Sequence, residues 1–136
     1  MKALSIHPIF AALILYGEKT IECRTWKTDY RGDILICSTA KKAKETIPGH
    51  ALCVVRLADV VPFKRDHLKA ACMTNADFSN DFYAWKLENL RLIKPFAVKG
   101  KLLLWNYDQN IEIFDGIRQK EEWDEIFKTY YEPLFV

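Results

Sequence analysis

Charged and aromatic side chains, which can bind a ligand or take part in catalysis, are concentrated between Gly17 and Arg31. This segment holds four basic residues, three acidic residues, a tryptophan and a tyrosine. If it is extended, Glu22 and Arg24 share one strand face and lie about 7 Å apart along the backbone. The carboxylate can then orient the guanidinium while both face an open groove, and Lys19 stands at the entrance of the strand.

Trp26, Tyr30 and Arg31 follow this predicted strand directly. Flat aromatic rings among guanidinium and ammonium groups suit a nucleobase that lies beside a phosphate. The alternative is a surface ion pair between Glu22 and Arg24, with Trp26 as a packing residue. Such exposed pairs contribute only about 0–1 kcal/mol to stability. The spacing alone leaves a functional and a purely structural role evenly balanced.

Ser5 and His7 are further candidates for the site because they lie where a predicted strand, residues 2–6, gives way to a predicted helix. Proline suits the first turn of a helix, and Pro8 therefore marks its start. The free N–H groups at such a helix end can bind an anion. Gly17 is expected to end the helix in a left-handed conformation.

The four cysteines, Cys23, Cys37, Cys53 and Cys72, have neither paired nor metal-ligand spacing. The first three lie in apolar, strand-like runs and are expected to be buried thiols in a reducing cytoplasm. We therefore expect no metal site and no cofactor.

The sequence has no signal-peptide architecture and no run near the roughly 20 apolar residues of a membrane span, so we expect a cytoplasmic protein without a membrane partner.

The length and charge of the chain favour one domain with an anionic ligand. Its 136 residues suffice for a single hydrophobic core, and 50% of them are hydrophobic and 28% charged, as in globular proteins. The net charge of +2 conceals an asymmetry. Residues 1–107 carry 17 basic and 10 acidic residues, whereas residues 108–136 carry 3 and 8. A basic body with an acidic C-terminal segment suits an anionic partner.

Apolar patterning predicts about six strands and three or four helices. Besides residues 2–6 and the strand at Glu22, strands are expected at 34–39, 51–61, 82–92 and 102–107. Helices are expected at 63–73 and, as an amphipathic helix docked on a core of about residues 2–107, at about 117–131. Pro95 and Gly100 should bracket a loop. The best architecture is one α+β domain over residues 1–136: a small, mostly antiparallel β-barrel with peripheral helices.

Three blocks of the sequence occur in a recognisable order. They are Ser5-Ile6-His7-Pro8; Gly17-Glu18-Lys19-Thr20-Ile21-Glu22-Cys23-Arg24 followed by Arg31-Gly32; and Tyr83-Ala84-Trp85-Lys86-Leu87-Glu88-Asn89 followed by Pro95-x-x-x-Lys99-Gly100. Together they resemble the activating signal cointegrator 1 homology (ASCH) family, which is similar to PUA domains and is marked by Gly-x-Lys-x-x-Glu-x-Arg. The resemblance covers roughly residues 2–107.

The resemblance implies a PUA-like β-barrel whose cleft binds RNA, another single-stranded nucleic acid or a modified nucleoside. In that picture the cleft is lined by Lys19, Glu22 and Arg24, with Trp26, Tyr30 and Arg31 at its rim. Lys19 and Arg31 would contact phosphate, and Arg24 would bond a base edge or a phosphate. Single strands should be preferred because only their bases are free to stack.

The resemblance also leaves two enzyme functions open as alternatives. Some small members of the family are amidohydrolases that deacylate N4-acetylcytidine, with a threonine nucleophile two residues before the motif arginine. Glu22 occupies that position here, so a pair of Lys19 and Glu22 would have to activate water instead. Metal-independent ribonuclease action, with Lys19, Arg24 and Tyr30, is the other alternative. If the chain is an enzyme, Lys19 and Glu22 are its catalytic candidates.

Overall fold

The computed structural model describes all 136 residues and places six strands in one curled sheet. They are β1 (Lys2–Ile6), β2 (Ile21–Arg24), β3 (Gly32–Ser38), β4 (His50–Pro62), β5 (Tyr83–Ala97) and β6 (Leu104–Asn106). The strand order is β2-β5-β4-β3-β1-β6, and only the β1–β3 pair is parallel. The sheet forms a half-barrel with helices α1 (Pro8–Leu15) and α2 (Lys120–Ile126). The predicted α+β class with a mostly antiparallel, barrel-like sheet is confirmed.

Helix α1 begins and ends where its sequence signals place it. His7 is the N-cap, and its Nδ1 accepts a hydrogen bond from the Ile9 N–H at 3.2 Å. Gly17 follows the helix with φ +77°, the left-handed conformation expected of a helix stop. The inner face of α1 packs into the largest hydrophobic cluster of the half-barrel, which we call the main core and which includes Leu4, Ile36 and Trp85. Neither α1 nor α2 has the length and apolarity that a membrane span requires.

Residues 63–73 do not form the predicted helix. The segment contains only a short 3₁₀ turn, Arg65–His67, and then continues in irregular turns. The reason lies in its hydrogen bonds: the Ala70 carbonyl accepts from the backbone N–H groups of Thr20 and Ile21. The segment therefore pairs with the start of β2, and its own backbone hydrogen bonds, such as Ala71 N–H to the His67 carbonyl oxygen, close only single turns.

Strand β5 runs through Pro95, which the sequence had placed at the start of a loop. Cys53 of β4 pairs with Leu92, whereas Ala51 pairs with Phe96, so the register of the ladder shifts around the proline. A proline is tolerated at such an irregularity because its missing N–H is not needed by the neighbouring strand.

The C-terminal helix starts later than predicted and changes type before it ends. After α2 the chain forms a π-helical segment, Phe127–Tyr131, and then a 3₁₀ turn, Glu132–Leu134. Tyr131 is fully buried in the main core. Its hydroxyl accepts a hydrogen bond from the Ile93 N–H at 2.9 Å and lies 2.7 Å from the carbonyl oxygens of Ile93 and Leu52. This side chain ties the C-terminal segment to the sheet.

Tyr131→Phe is expected to lower the free energy of unfolding by about 1–3 kcal/mol. Phenylalanine keeps the ring packing but leaves the buried N–H of Ile93 without its acceptor. Urea unfolding followed by circular dichroism measures the change. Tyr130→Phe, at a half-buried position outside this network, is the matched control and should stay within about 0.5 kcal/mol of the wild type. Equal losses in both variants would contradict this role for the Tyr131 hydroxyl.

Candidate functional site

A cleft of about 380 Å³ opens between the end of β1, strand β2 and the loop that precedes β6. We call it the Arg24 cleft. Its lining consists of Leu4, Ser5, Arg24, Thr39, Ala40, Val98, Lys99, Gly100, Lys101, Leu102 and Leu103. The volume lies within the range of about 300–1,000 Å³ that is typical of ligand pockets. The cleft combines three cationic side chains with an aliphatic wall and has no acidic residue in its lining.

Arg24 is held in the cleft by two fixed partners. Its Nη2 donates to the Ser5 carbonyl oxygen at 3.1 Å and lies 3.4 Å from Oε2 of Glu22. Glu22 is buried, so its carboxylate orients the guanidinium from behind. The bond to Ser5 also links β2 to β1, which are not neighbours in the sheet. The guanidinium is therefore positioned before any ligand arrives.

Two polar atoms of the cleft residues are buried without a hydrogen-bond partner: Oγ of Ser5 and Nε of Arg24. Buried polar atoms are nearly always paired in folded proteins. Both residues line the same cleft. Two unpaired polar groups therefore lie in the wall of this cleft.

Gly100 lies directly against Ser5 at the wall of the cleft. A Cβ atom at this position would clash with Oγ of Ser5, so the close approach of the two segments requires glycine. Lys99 and Lys101 flank the glycine, and both are exposed. The loop thus brings two cations to the mouth of the cleft while it covers the serine hydroxyl.

Leu102 and Leu103 form the aliphatic part of this wall. Their relative exposures are 91% and 60%, which is high for leucine. Leu103 also has φ +59°, a left-handed conformation that is strained for a residue other than glycine. The two side chains give the cleft an apolar surface next to its cations.

Lys19 lies outside the Arg24 cleft. The residue is only 3% exposed, and its Nζ donates to the Ala71 carbonyl oxygen at 2.6 Å. The same atom is 3.6 Å from Oε1 of Glu22 and 5.1 Å from the centre of the Phe10 ring. The sequence had placed Lys19 in an open groove, in contact with phosphate. The structure instead places it behind Glu22, in a chain of contacts that runs from Lys19 to Glu22 to Arg24.

Trp26 and Tyr30 belong to the packing of the half-barrel instead of the lining of the cleft. Trp26 packs edge to face on the buried Trp85 at 4.6 Å between ring centres, and its carbonyl oxygen accepts from Nε1 of Trp85 at 3.1 Å. The Tyr30 hydroxyl donates to the Asp33 carbonyl oxygen at 2.7 Å, and burial raises the pKa of Tyr30. Both rings were expected at the rim of the cleft.

Arg31 and His7 also have partners within the protein. Nη1 of Arg31 donates to the carbonyl oxygens of Thr28 and Tyr30 at 2.8 Å, and Nη2 lies 3.4 Å from Oδ1 of Asp59. His7 caps helix α1. Among the residues that the sequence placed in the binding site, the structure therefore brings Ser5 and Arg24 into the cleft, with Glu22 and Lys19 behind them.

Sequence reasoning missed Thr39, Lys99, Gly100 and Lys101 as residues of the site. The available signal was the run of a glycine between two lysines, followed by three leucines outside any amphipathic pattern. What spacing could not show is that this run folds against Ser5, which lies about one hundred residues earlier in the chain.

A second, open groove of about 490 Å³ lies on the face of the sheet opposite the main core. We call it the outer groove. Its lining consists of Lys94, Pro95, Phe96, Tyr107, Asn110, Ile111 and Glu112. The rings of Phe96 and Tyr107 stack at 5.3 Å between centres, and Trp105 meets Tyr107 edge to face at 6.2 Å.

Comparison with known proteins identifies the family of this chain. A profile of the ASCH domain matches residues 4–124. The human protein "Activating signal cointegrator 1" is 25% identical over 130 residues, which cover 79% of this chain and 22% of the human protein. The chain thus spans about a fifth of the length of that relative.

Solved structures share the fold. The crystal structure of ASCH from Zymomonas mobilis superposes with a TM-score of 0.59, at 16% identity and with 94% of each chain covered. A point mutant of the Zymomonas protein gives a TM-score of 0.53, at 17% identity and with coverages of 94% and 96%. At these identities the likeness concerns the fold alone.

Proposed function

The chain belongs to the ASCH domain family, and from this premise we propose that it binds single-stranded RNA in the Arg24 cleft. The family is associated with RNA binding. The observation that carries the proposal is the guanidinium of Arg24, which is fixed by Glu22 and the Ser5 carbonyl while its Nε is unpaired. A preorganised guanidinium makes strong, charge-assisted hydrogen bonds to phosphate oxygens or to a base edge.

The rest of the lining supports the same class of ligand. Lys99 and Lys101 add positive charge at the mouth, with no carboxylate in the lining to oppose it. Such a surface attracts the phosphates of a nucleic acid. Leu102 and Leu103 offer an apolar surface to the face of a base. A base is free to make that contact only in a single strand, which is why a duplex should bind more weakly.

The hydrolase alternatives would give Lys19 and Glu22 catalytic roles. In the structure these side chains are buried against each other and support Arg24. No observation therefore favours hydrolysis over binding, and cleavage of RNA or of a modified nucleoside becomes an outcome of the test below.

The cysteines support a reducing compartment. All four are free, and Cys37 and Cys53 are buried on the neighbouring strands β3 and β4. Burial raises the pKa of the Cys37 thiol to about 12, which keeps it protonated and unreactive at neutral pH. We propose a cytoplasmic location on this basis.

Titration of the full chain with fluorescently labelled RNA tests the binding function. We expect a single strand to bind more tightly than a duplex of the same sequence, with log K falling by about 0.7 per unit of log salt for each phosphate contact. The Lys99→Ala and Lys101→Ala variants should each lower that slope by about one phosphate contact. Lys128→Ala, an exposed lysine in the C-terminal segment, is the matched control.

Chromatography of the same mixtures, and of a parallel incubation with N4-acetylcytidine, separates binding from catalysis. Intact RNA and unchanged nucleoside, together with salt-dependent binding, support a binding module. Cut RNA or released cytidine would replace the proposal with the corresponding hydrolase. Binding that is absent, or equal for the two lysine variants and the control, would contradict RNA recognition by the cleft.

A further inference from the structure

The Arg24 cleft and the outer groove are joined by a short stretch of chain. Leu103 lines the cleft and Tyr107 lines the groove, and β6 lies between them. Four residues in extended conformation span about 13 Å. Lys101, which lines the cleft, places its Nζ 5.8 Å from the centre of the Trp105 ring, and Trp105 in turn contacts Tyr107. A ligand that leaves the cleft over Lys101 therefore meets the aromatic side chains beside the groove.

The groove carries the groups that recognise bases. Phe96 and Tyr107 supply aromatic surface, on which bases stack without regard to their identity. Asn110 and Glu112 supply an amide and a carboxylate, which suit the amino-bearing edges of adenine and cytosine respectively. The carboxylate of Glu112 repels a phosphate and accepts from an amino group. Lys94 is exposed at the groove and provides its positive charge.

We propose that the outer groove is a second RNA subsite, which holds bases of the strand whose phosphate lies in the Arg24 cleft. This inference rests on the proposed function of the cleft. The strand passes over Lys101, its bases contact Phe96 and Tyr107, and its phosphate contacts Lys94. The edge groups of the groove favour adenine and cytosine over uracil.

Oligonucleotide length distinguishes one subsite from two. The probes are labelled RNAs of two nucleotides, which fill the cleft alone, and of about eight nucleotides, within the range that single-strand-binding domains cover. The longer RNA should bind more tightly to the full chain. Tyr107→Leu should weaken the longer RNA by about 5- to 100-fold, the range of stacking on one aromatic ring, and leave the dinucleotide unchanged. Oligo(A) and oligo(C) should bind more tightly than oligo(U).

Lys94→Gln keeps the test independent of folding, because Lys94 is an exposed side chain outside the core. It should lower the salt slope of the longer RNA by about one phosphate contact and leave that of the dinucleotide unchanged. Lys128→Gln should change neither.

The outcomes separate the inference from the proposed function. Equal affinity for both lengths, or equal losses of both in the Lys94→Gln variant, would overturn the second subsite while leaving the cleft intact. Absence of binding at both lengths would overturn the proposed function and the second subsite with it.

Discussion

Lys19→Met is expected to lower the free energy of unfolding by about 3–5 kcal/mol, as expected when one partner is removed from a buried ion pair. The lysine ammonium is almost fully enclosed, with the Ala71 carbonyl oxygen at 2.6 Å and the Glu22 carboxylate at 3.6 Å. Methionine keeps the aliphatic length but loses the charge. Glu22 would then remain buried with Arg24 as its only cationic partner.

Urea unfolding of Lys19→Met, Glu22→Gln and the double variant measures the loss of stability and the coupling energy between the two side chains. The double variant should be more stable than the sum of the single losses predicts, by about 0.5–3 kcal/mol, because neither charge is left alone. Lys69→Met, at an exposed position in the turns near Lys19, is the control and should stay within about 0.5 kcal/mol. Wild-type stability of Lys19→Met combined with lost RNA binding or turnover would show instead that the lysine serves the ligand directly.

Arg24→Lys is expected to weaken binding of single-stranded RNA by about 1.5–3 kcal/mol, which is roughly 10- to 150-fold. Lysine keeps the charge but cannot present two donors in one plane to a phosphate or a base edge. The Arg24 side chain is 26% exposed, so the variant should lose less stability than Lys19→Met does. Fluorescence anisotropy at several salt concentrations measures the affinity, and urea unfolding measures the stability.

Arg118→Lys is the matched control for this measurement, because Arg118 is exposed and lies outside the lining of the cleft. Its affinity for RNA should equal that of the wild type. If Arg24→Lys also bound RNA with wild-type affinity, the guanidinium would not contact the nucleic acid, and the ligand of the cleft would have to be sought in another chemical class.

The pairing of Glu22 with Arg24 could be predicted because it depends only on the period of a strand. The burial of Lys19 could not be predicted in the same way, because its partner Ala71 lies 52 residues further along the chain. The sequence assigned a helix to residues 63–73, whereas the segment gives backbone carbonyls to Lys19 and to the start of β2. Local pattern fixes which face a side chain takes, but long-range packing decides whether that face is open.

The roles of the aromatic residues and of the loop before β6 also depend on long-range packing. Trp26 has the right chemistry for stacking on a base. In the structure it packs instead on Trp85, which lies 59 residues away in the sequence. Gly100 is recognisable as a turn residue, but its role follows from contact with Ser5. The fold class followed from composition and patterning, whereas half of the cleft required the structure.

The position of β1 has a consequence for synthesis and folding of the chain. Lys2 pairs with Ile34 on one side and with Asn106 on the other, and the N-terminal ammonium bonds the Tyr107 carbonyl oxygen at 2.8 Å. A nascent chain therefore cannot complete the pairing of its first strand until residue 107 has left the ribosome. Until then one edge of β1 stays open to wrong pairing. Closure of this sheet is slow compared with local contacts.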